Sequence, residues 1–161
     1  MNINVASQNN IDLVNDTCLN DQKKLFYIDS SNNSTTYKVI KINYVKYHQL
    51  SYEEVMVHIN NFHNVFTNKY KQTTPIPKIL ILIDVDILKK SIEVNTSSIY
   101  NINLINVIKH INTSFNDNIY KCVTINCNEF DKTLIILFKT FFKHIDFVHK
   151  IVFDKSFLQN S

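Results

Sequence analysis

No glycine occurs anywhere in this chain of 161 residues. Glycine enters positive φ without steric cost and lets a backbone come close to a ligand. Phosphate-cradling loops and dinucleotide-binding turns depend on that freedom. Nucleotide binding of those kinds is therefore not expected. The chain also lacks Arg and Trp, has a single Ala, and is rich in Asn, Ile and Lys. That is the composition of a very AT-rich genome, of the kind some protozoa and large DNA viruses carry. Individual Asn and Lys residues consequently say little about function.

The order of apolar patterns predicts the architecture. "KLFYID" (24–29) and the alternating "YKVIKINYV" (37–45) read as two strands of a hairpin around the polar turn "SSNNSTT". Ser51 with Glu54 three residues later has capping-box spacing, and Tyr52, Val55, Ile59, Phe62 and Phe66 then recur at helical intervals. After a loop over 67–77, "KILILID" (78–84) is a continuous apolar run ending in a carboxylate, the pattern of a central strand buried on both faces. Ile79, Ile81 and Ile83 should face one side and Leu80 and Leu82 the other, with helices over both. Residues 86–98 are an ambiguous connection. Tyr100, Leu104, Val107, Ile108, Ile111 and Phe115 mark a second amphipathic helix. "IYKCVTINC" (119–127) is a strand, 130–145 a third helix, and "KIVF" (150–153) the last strand. The order β-β-α-β-α-β-α-β, with right-handed crossovers, predicts one α/β domain built on a mixed, largely parallel sheet with flanking helices. Residues 1–22 read as a flexible polar arm ahead of a domain spanning 23–161.

Charge and hydropathy narrow the setting. A net charge of +3 with 45% apolar residues fits neither an acidic tail nor a strongly basic nucleic-acid binder. No window approaches about 18 uninterrupted apolar residues, so no transmembrane helix is expected. The first twenty residues carry neither the basic nor the apolar region of a signal peptide, which predicts a cytoplasmic protein. Three cysteines fit that compartment as reduced thiols. Cys122 and Cys127, an odd spacing apart, would lie on opposite faces of an extended strand and could not chelate together.

The third helix is unusually greasy. At about 100° per residue, Leu134, Ile135, Leu137, Phe138, Phe141 and Phe142 cover roughly 160° of its circumference, more than the roughly 100° stripe a surface helix minimally shows. Lys132, Lys139 and Lys143 cluster opposite, with Ile136 among them. Such a helix either packs on a sheet beside a neighbour or covers something apolar that is not protein.

The segment "FNDNIYKCVTINCNEF" followed by "TLIILFKTFF" and "HKIVF" resembles the CRAL-TRIO lipid-binding domain of phosphatidylinositol-transfer and retinaldehyde-binding proteins. "LFKTFF" stands beside that family's "LFKPFL", and "KILILIDVD" is similar to its hydrophobic strand ending in Asp. The likeness runs in order from about residue 24 to 155. It would be a truncated form, without the family's preceding helical domain and its C-terminal "LP..yGG" region, and Asn128 stands where the family has Pro. The resemblance implies a hydrophobic pocket beneath the helix at 130–145, lined by Ile125, Leu134, Leu137, Phe138, Phe141 and Phe142. It implies headgroup contacts at Asp117 and Lys150. Lys132, Lys139 and Lys143 would then face an anionic membrane.

Other chemistries fit the residues less well. "IDVD" (83–86) resembles the Mg²⁺-binding nucleophile motif of haloacid-dehalogenase-type phosphatases, but Ile87 and Leu88 replace its Gly-Thr and no paired acidic motif follows a later strand. His58 and His63 are five apart on a helix and do not share a face, and no His or Cys pair has a zinc spacing. The expectation is a non-enzymatic lipid-binding module without cofactor or metal, its partner a phospholipid or another hydrophobic small ligand, with peripheral membrane contact and no nucleic acid. The alternative is the same fold with a collapsed pocket, acting as a protein-interaction or structural module, with a homodimer as one form of it.

Overall fold

The computed structural model describes residues 19–94, 100–115 and 118–154. Five strands form one sheet: β1 (Phe26–Ile28), β2 (Tyr37–Ile42), β3 (Lys78–Asp84), β4 (Ile119–Ile125) and β5 (Ile151–Phe153). Among the described residues six helices connect them: α1 (Tyr44–Gln49) and α2 (Tyr52–Tyr70), α3 (Val85–Val94) and α4 (Tyr100–Phe115), α5 (Glu129–Phe141) and α6 (Asp146–His149). The strands lie side by side in chain order. β1 and β2 are the antiparallel hairpin, and β2 through β5 are parallel. This is the mixed, largely parallel α/β sheet that the sequence pattern predicts. Each crossover contains two helices rather than one.

β3 sits in the middle and alternates as its register requires. Ile79, Ile81 and Ile83 belong to the main core, with Ile40 of β2 and Cys122 of β4 beside Ile81. Leu80 and Leu82 point the other way, into a second cluster with Val39, Val123, Ile125 and Val152. The helices do not divide between the faces as expected. Val55, Ile59, Phe62 and Phe66 of α2, Val107, Ile111 and Phe115 of α4, Ile135 and Phe138 of α5, and Phe147 and Val148 of α6 all join the main core. The second cluster consists of strand residues alone among those described. Topology explains this. The parallel crossovers all advance in one direction along the sheet, and right-handed connections advancing one way place their helices on one face.

Local chemistry sets the element ends. Ser51 Oγ accepts the Glu54 N–H at 3.3 Å and Glu54 accepts the Ser51 N–H at 2.8 Å, the reciprocal box expected at the start of α2. α1 replaces the end of the expected second strand. Asn43 turns the chain: its N–H donates to Leu25 O at 2.9 Å, and its side chain accepts the Lys46 N–H at 3.0 Å. Tyr44 is then buried, and its hydroxyl accepts the Asp84 N–H at 2.9 Å, which ties α1 to the end of β3. Burial pushes the Tyr44 phenol well above its ordinary range. Leu19, inside the stretch read as a loose arm, is buried in the main core.

At the end of β4, Asn126 has φ 57°, a positive φ in a chain without glycine. Asparagine is among the residues that tolerate this conformation, because its short side chain can bond locally. Here the side-chain amide donates to Asp84 at 2.9 Å, joining the carboxyl ends of β3 and β4.

Candidate functional site

α5 runs from Glu129 to Phe141, shorter than the helix expected over 130–145. It opens on a second capping box. Asn128 Oδ1 accepts the Asp131 N–H at 2.8 Å, and Asp131 Oδ2 accepts the Asn128 N–H at 3.0 Å. The same carboxylate oxygen takes an ion pair from Lys89 of α3 at 2.9 Å. Lys89 and the Asn128 N–H together hold the buried Asp131 carboxyl below the usual range, and Asp131 raises the Lys89 ammonium. The far end is fixed too. Lys139 Nζ donates to Ile151 O at 2.7 Å, a carbonyl of the edge strand β5. A lysine over a sheet edge discourages further strand pairing.

Between these two anchors the greasy arc divides. Ile135, Phe138 and Phe142 pack against the main core, with the Phe138 and Phe142 rings 4.7 Å apart. Phe130, Leu134, Leu137 and Phe141 face outward with 69, 49, 48 and 74% of their surface exposed. Spacings of four, three and four residues confine them to an arc of about 60°. Large apolar side chains gathered into an exposed stripe mark a contact surface more often than singly scattered ones do.

The six residues implied for a pocket are therefore not brought together around one enclosed space. Ile125 belongs to the strand cluster on one face of the sheet, whereas Phe138 and Phe142 pack on the core at the other. Leu134, Leu137 and Phe141 are on the outer stripe. The lysines are also dispersed in role. Lys132 pairs with Glu129 at 2.7 Å, Lys139 holds the sheet edge, and Lys143 is exposed in the turn after the helix. Lys132 and Lys139 point roughly opposite the apolar stripe, at about 100° of rotation per residue. Lys150 is half-buried before β5, where its carbonyl accepts the Cys122 N–H at 2.9 Å. Asp117 lies outside the described residues.

The carboxylates of "IDVD" are engaged in structure. Asp84 accepts from the Ile87 N–H at 3.1 Å and from Asn126, and Asp86 pairs with Lys90 at 2.8 Å. Among the described residues no group of three or more His, Cys, Asp or Glu is placed to hold a metal ion. Cys122 is fully buried, which pushes its thiol up to about 12, while Cys127 lies beyond the end of β4 rather than on it.

A second feature was not singled out from the sequence. A cleft of about 330 Å³ opens between the segment leading into β1 and one face of α2. Leu19, Leu25, Phe26, Phe62 and Val65 form its apolar lining, and Lys24, His58, Asn61 and Asn64 its polar rim. The signal was present in the spacing of His58, Asn61, Phe62 and Val65, which is that of one helix stripe. It was hidden because Phe62 alone reads as core.

No family model, no curated protein and no solved structure matches this chain.

Proposed function

We propose that the chain is a non-enzymatic lipid-binding module that meets its lipid through the outward stripe of α5. The observation that carries this reading is the exposed row Phe130, Leu134, Leu137 and Phe141 on a helix whose opposite needs are already met. Its polar ends are bonded, and its inner residues are seated in the core. Covering the outer row with acyl chains gains about 25 cal/mol for each Å² of apolar surface removed from water. The resemblance to the CRAL-TRIO domain supports the same class of ligand, a phospholipid or another hydrophobic small molecule. In this reading Asp117 and Lys150 are the candidate headgroup contacts, the protein is cytoplasmic and peripheral to membranes, and nucleic acid is not a partner.

Vesicle flotation tests it. Wild-type protein should float with phosphatidylcholine vesicles, and more so when phosphatidylinositol is included. The double variant Phe130→Gln, Phe141→Gln should lose flotation at an unchanged melting temperature. Wild-type protein left at the bottom of the gradient, or a variant that floats equally well, rules the reading out.

The direct packing of Ile135, Phe138 and Phe142 on the core favours a second reading, a module whose pocket has collapsed and whose stripe binds protein, including a second copy of itself. A concentration-dependent dimer that the same double variant dissolves, without any flotation, supports that reading instead.

A further inference from the structure

The cleft beside α2 has a chemistry of its own, separate from the α5 stripe. Its rim carries an ammonium, an imidazole and two carboxamides, Lys24, His58, Asn61 and Asn64. Among the described residues none of these four side chains has a hydrogen-bond partner. Each can donate, and only Lys24 carries a fixed charge. The groups acting on His58 are Lys24 from the leading segment, Lys46 from α1 and Glu54 from α2 itself. Glu54 is the one carboxylate among them, and it is committed to the Ser51 N–H at 2.8 Å. The rim is thus rich in donors and net positive, above an apolar lining of Leu19, Leu25, Phe62 and Val65.

We propose that this cleft binds a small anionic amphiphile, a carboxylate head on a short apolar body, with Lys24 and His58 taking the head and the Phe62 and Val65 side receiving the body. The volume of about 330 Å³ lies at the small end of the roughly 300–1,000 Å³ range of ligand sites, so the body is short. A large polyanion does not fit, because one fixed cation, Lys24, stands over a concavity with an apolar base, and among the described lining residues no row of cations tracks along a surface. A neutral amphiphile can accept from the rim donors but leaves the Lys24 charge without a counter-charge.

His58 reports occupancy. Burial first, then Lys46 and Lys24, holds its imidazole below the ordinary value. A bound carboxylate reverses the sign of the local field and favours the protonated ring. Binding therefore takes up protons, and affinity rises as pH falls through the His58 titration.

The test follows the His58 ring resonance in the whole chain with three probes: octanoate, octan-1-ol and inorganic phosphate. Octanoate should shift the resonance saturably and raise the pH at which His58 titrates. Octan-1-ol lacks the charge and phosphate lacks the body, so each should bind at least about tenfold more weakly, the scale of losing one charge-assisted contact or the buried apolar surface. Lys24→Gln, at an exposed position, should weaken octanoate by about tenfold without lowering the melting temperature. Equal binding of octanoate and octan-1-ol overturns the proposal. So does octanoate that leaves His58 unmoved, or a Lys24→Gln protein that binds it as well as wild type.

Discussion

α2 and α5 begin alike and end differently. Both open on a side chain that caps the third residue's N–H and a carboxylate that returns the bond. α2 then buries Val55, Ile59, Phe62 and Phe66, with Ile59 and Phe66 fully inaccessible, and leaves Val57 exposed. α5 has apolar residues enough for two stripes and packs only one, half-buried, against the core, leaving Phe130, Leu134, Leu137 and Phe141 outside. Its box is also not local. Asp131 is buried and shared with Lys89 of α3, whereas Glu54 serves Ser51 at the surface. The surplus on α5 is apolar surface that the described fold leaves uncovered.

The comparison assumes that both helices lean on the same sheet, and the largest expected effect tests that assumption. Ile81 is buried in the main core at the centre of β3. Ile81→Asp should abolish cooperative unfolding and leave insoluble or unfolded protein, because an unpaired buried carboxylate has no compensation. A soluble variant with the wild-type melting temperature would dissolve the core both helices share.

Truncations sharpen it next. Phe66→Ala in α2 should cost about 3–5 kcal/mol in denaturant unfolding, as a cavity opens in a filled site. Phe141→Ala in α5 should change stability by no more than about 0.5 kcal/mol, because most of that ring is already in water. Comparable losses from the two would mean that the outer face of α5 is core after all.

The caps give a smaller contrast. Ser51→Ala should cost about 1 kcal/mol, the usual scale for an N-cap. Asp131→Asn should loosen α5 in particular, seen as faster amide exchange along 129–141, since it weakens both the box and the pair with Lys89. Equal exchange in α5 before and after the change would make that junction incidental.

The smallest effect is in pH. Asp131 has a lowered folded-state value, so its contribution is present above the ordinary carboxylate range near pH 4 and is lost as pH falls through the folded value. Lys89 has a raised one, so its contribution is present below its ordinary value and is lost only as strongly alkaline pH passes the raised value. Between those limits the protection of the α5 amides, corrected for the intrinsic pH dependence of exchange, should be flat. In Lys89→Met the acid step should shrink, while the corresponding step at the start of α2, where Glu54 is also lowered by the Ser51 N–H, stays as it was.

The strands and three of the six described helices, α2, α4 and α5, were legible because their signals are local. β3 matches its expected span, α4 runs from Tyr100 to Phe115 as the stripe implied, and the Ser51 box starts α2 as read. α1 was missed because Tyr44 and Val45 extend an alternating pattern, and what turns the chain there is Asn43 bonding to Leu25, eighteen positions back. α2 continues to Tyr70, past the loop expected from residue 67, where the Phe66 and Tyr70 rings meet 4.8 Å apart. The width of the greasy arc on α5 was legible, but its division was not. Which half faces the core depends on where Asp131 meets Lys89 and Lys139 meets β5, both contacts between distant parts of the chain. The assignment of Ile125 beside Phe138 failed for a related reason. The sheet lies between the two groups, and one-sided winding fixes that relation only once all crossovers are considered together.

The side-by-side sequence of strands also bears on how the molecule is made. Each strand pairs with the one synthesised just before it, and none has to insert between two that have already joined. The hairpin of β1 and β2 can close first, and every later strand adds to a free border as its crossover emerges. Chains grow at about 5–20 residues each second and domains fold as units from the N-terminal end. The last border to form, at β5, carries its own stopper in Lys139, delivered by α5 in the crossover that leads to it. Growth of the sheet and its termination are thus written in the same direction as translation.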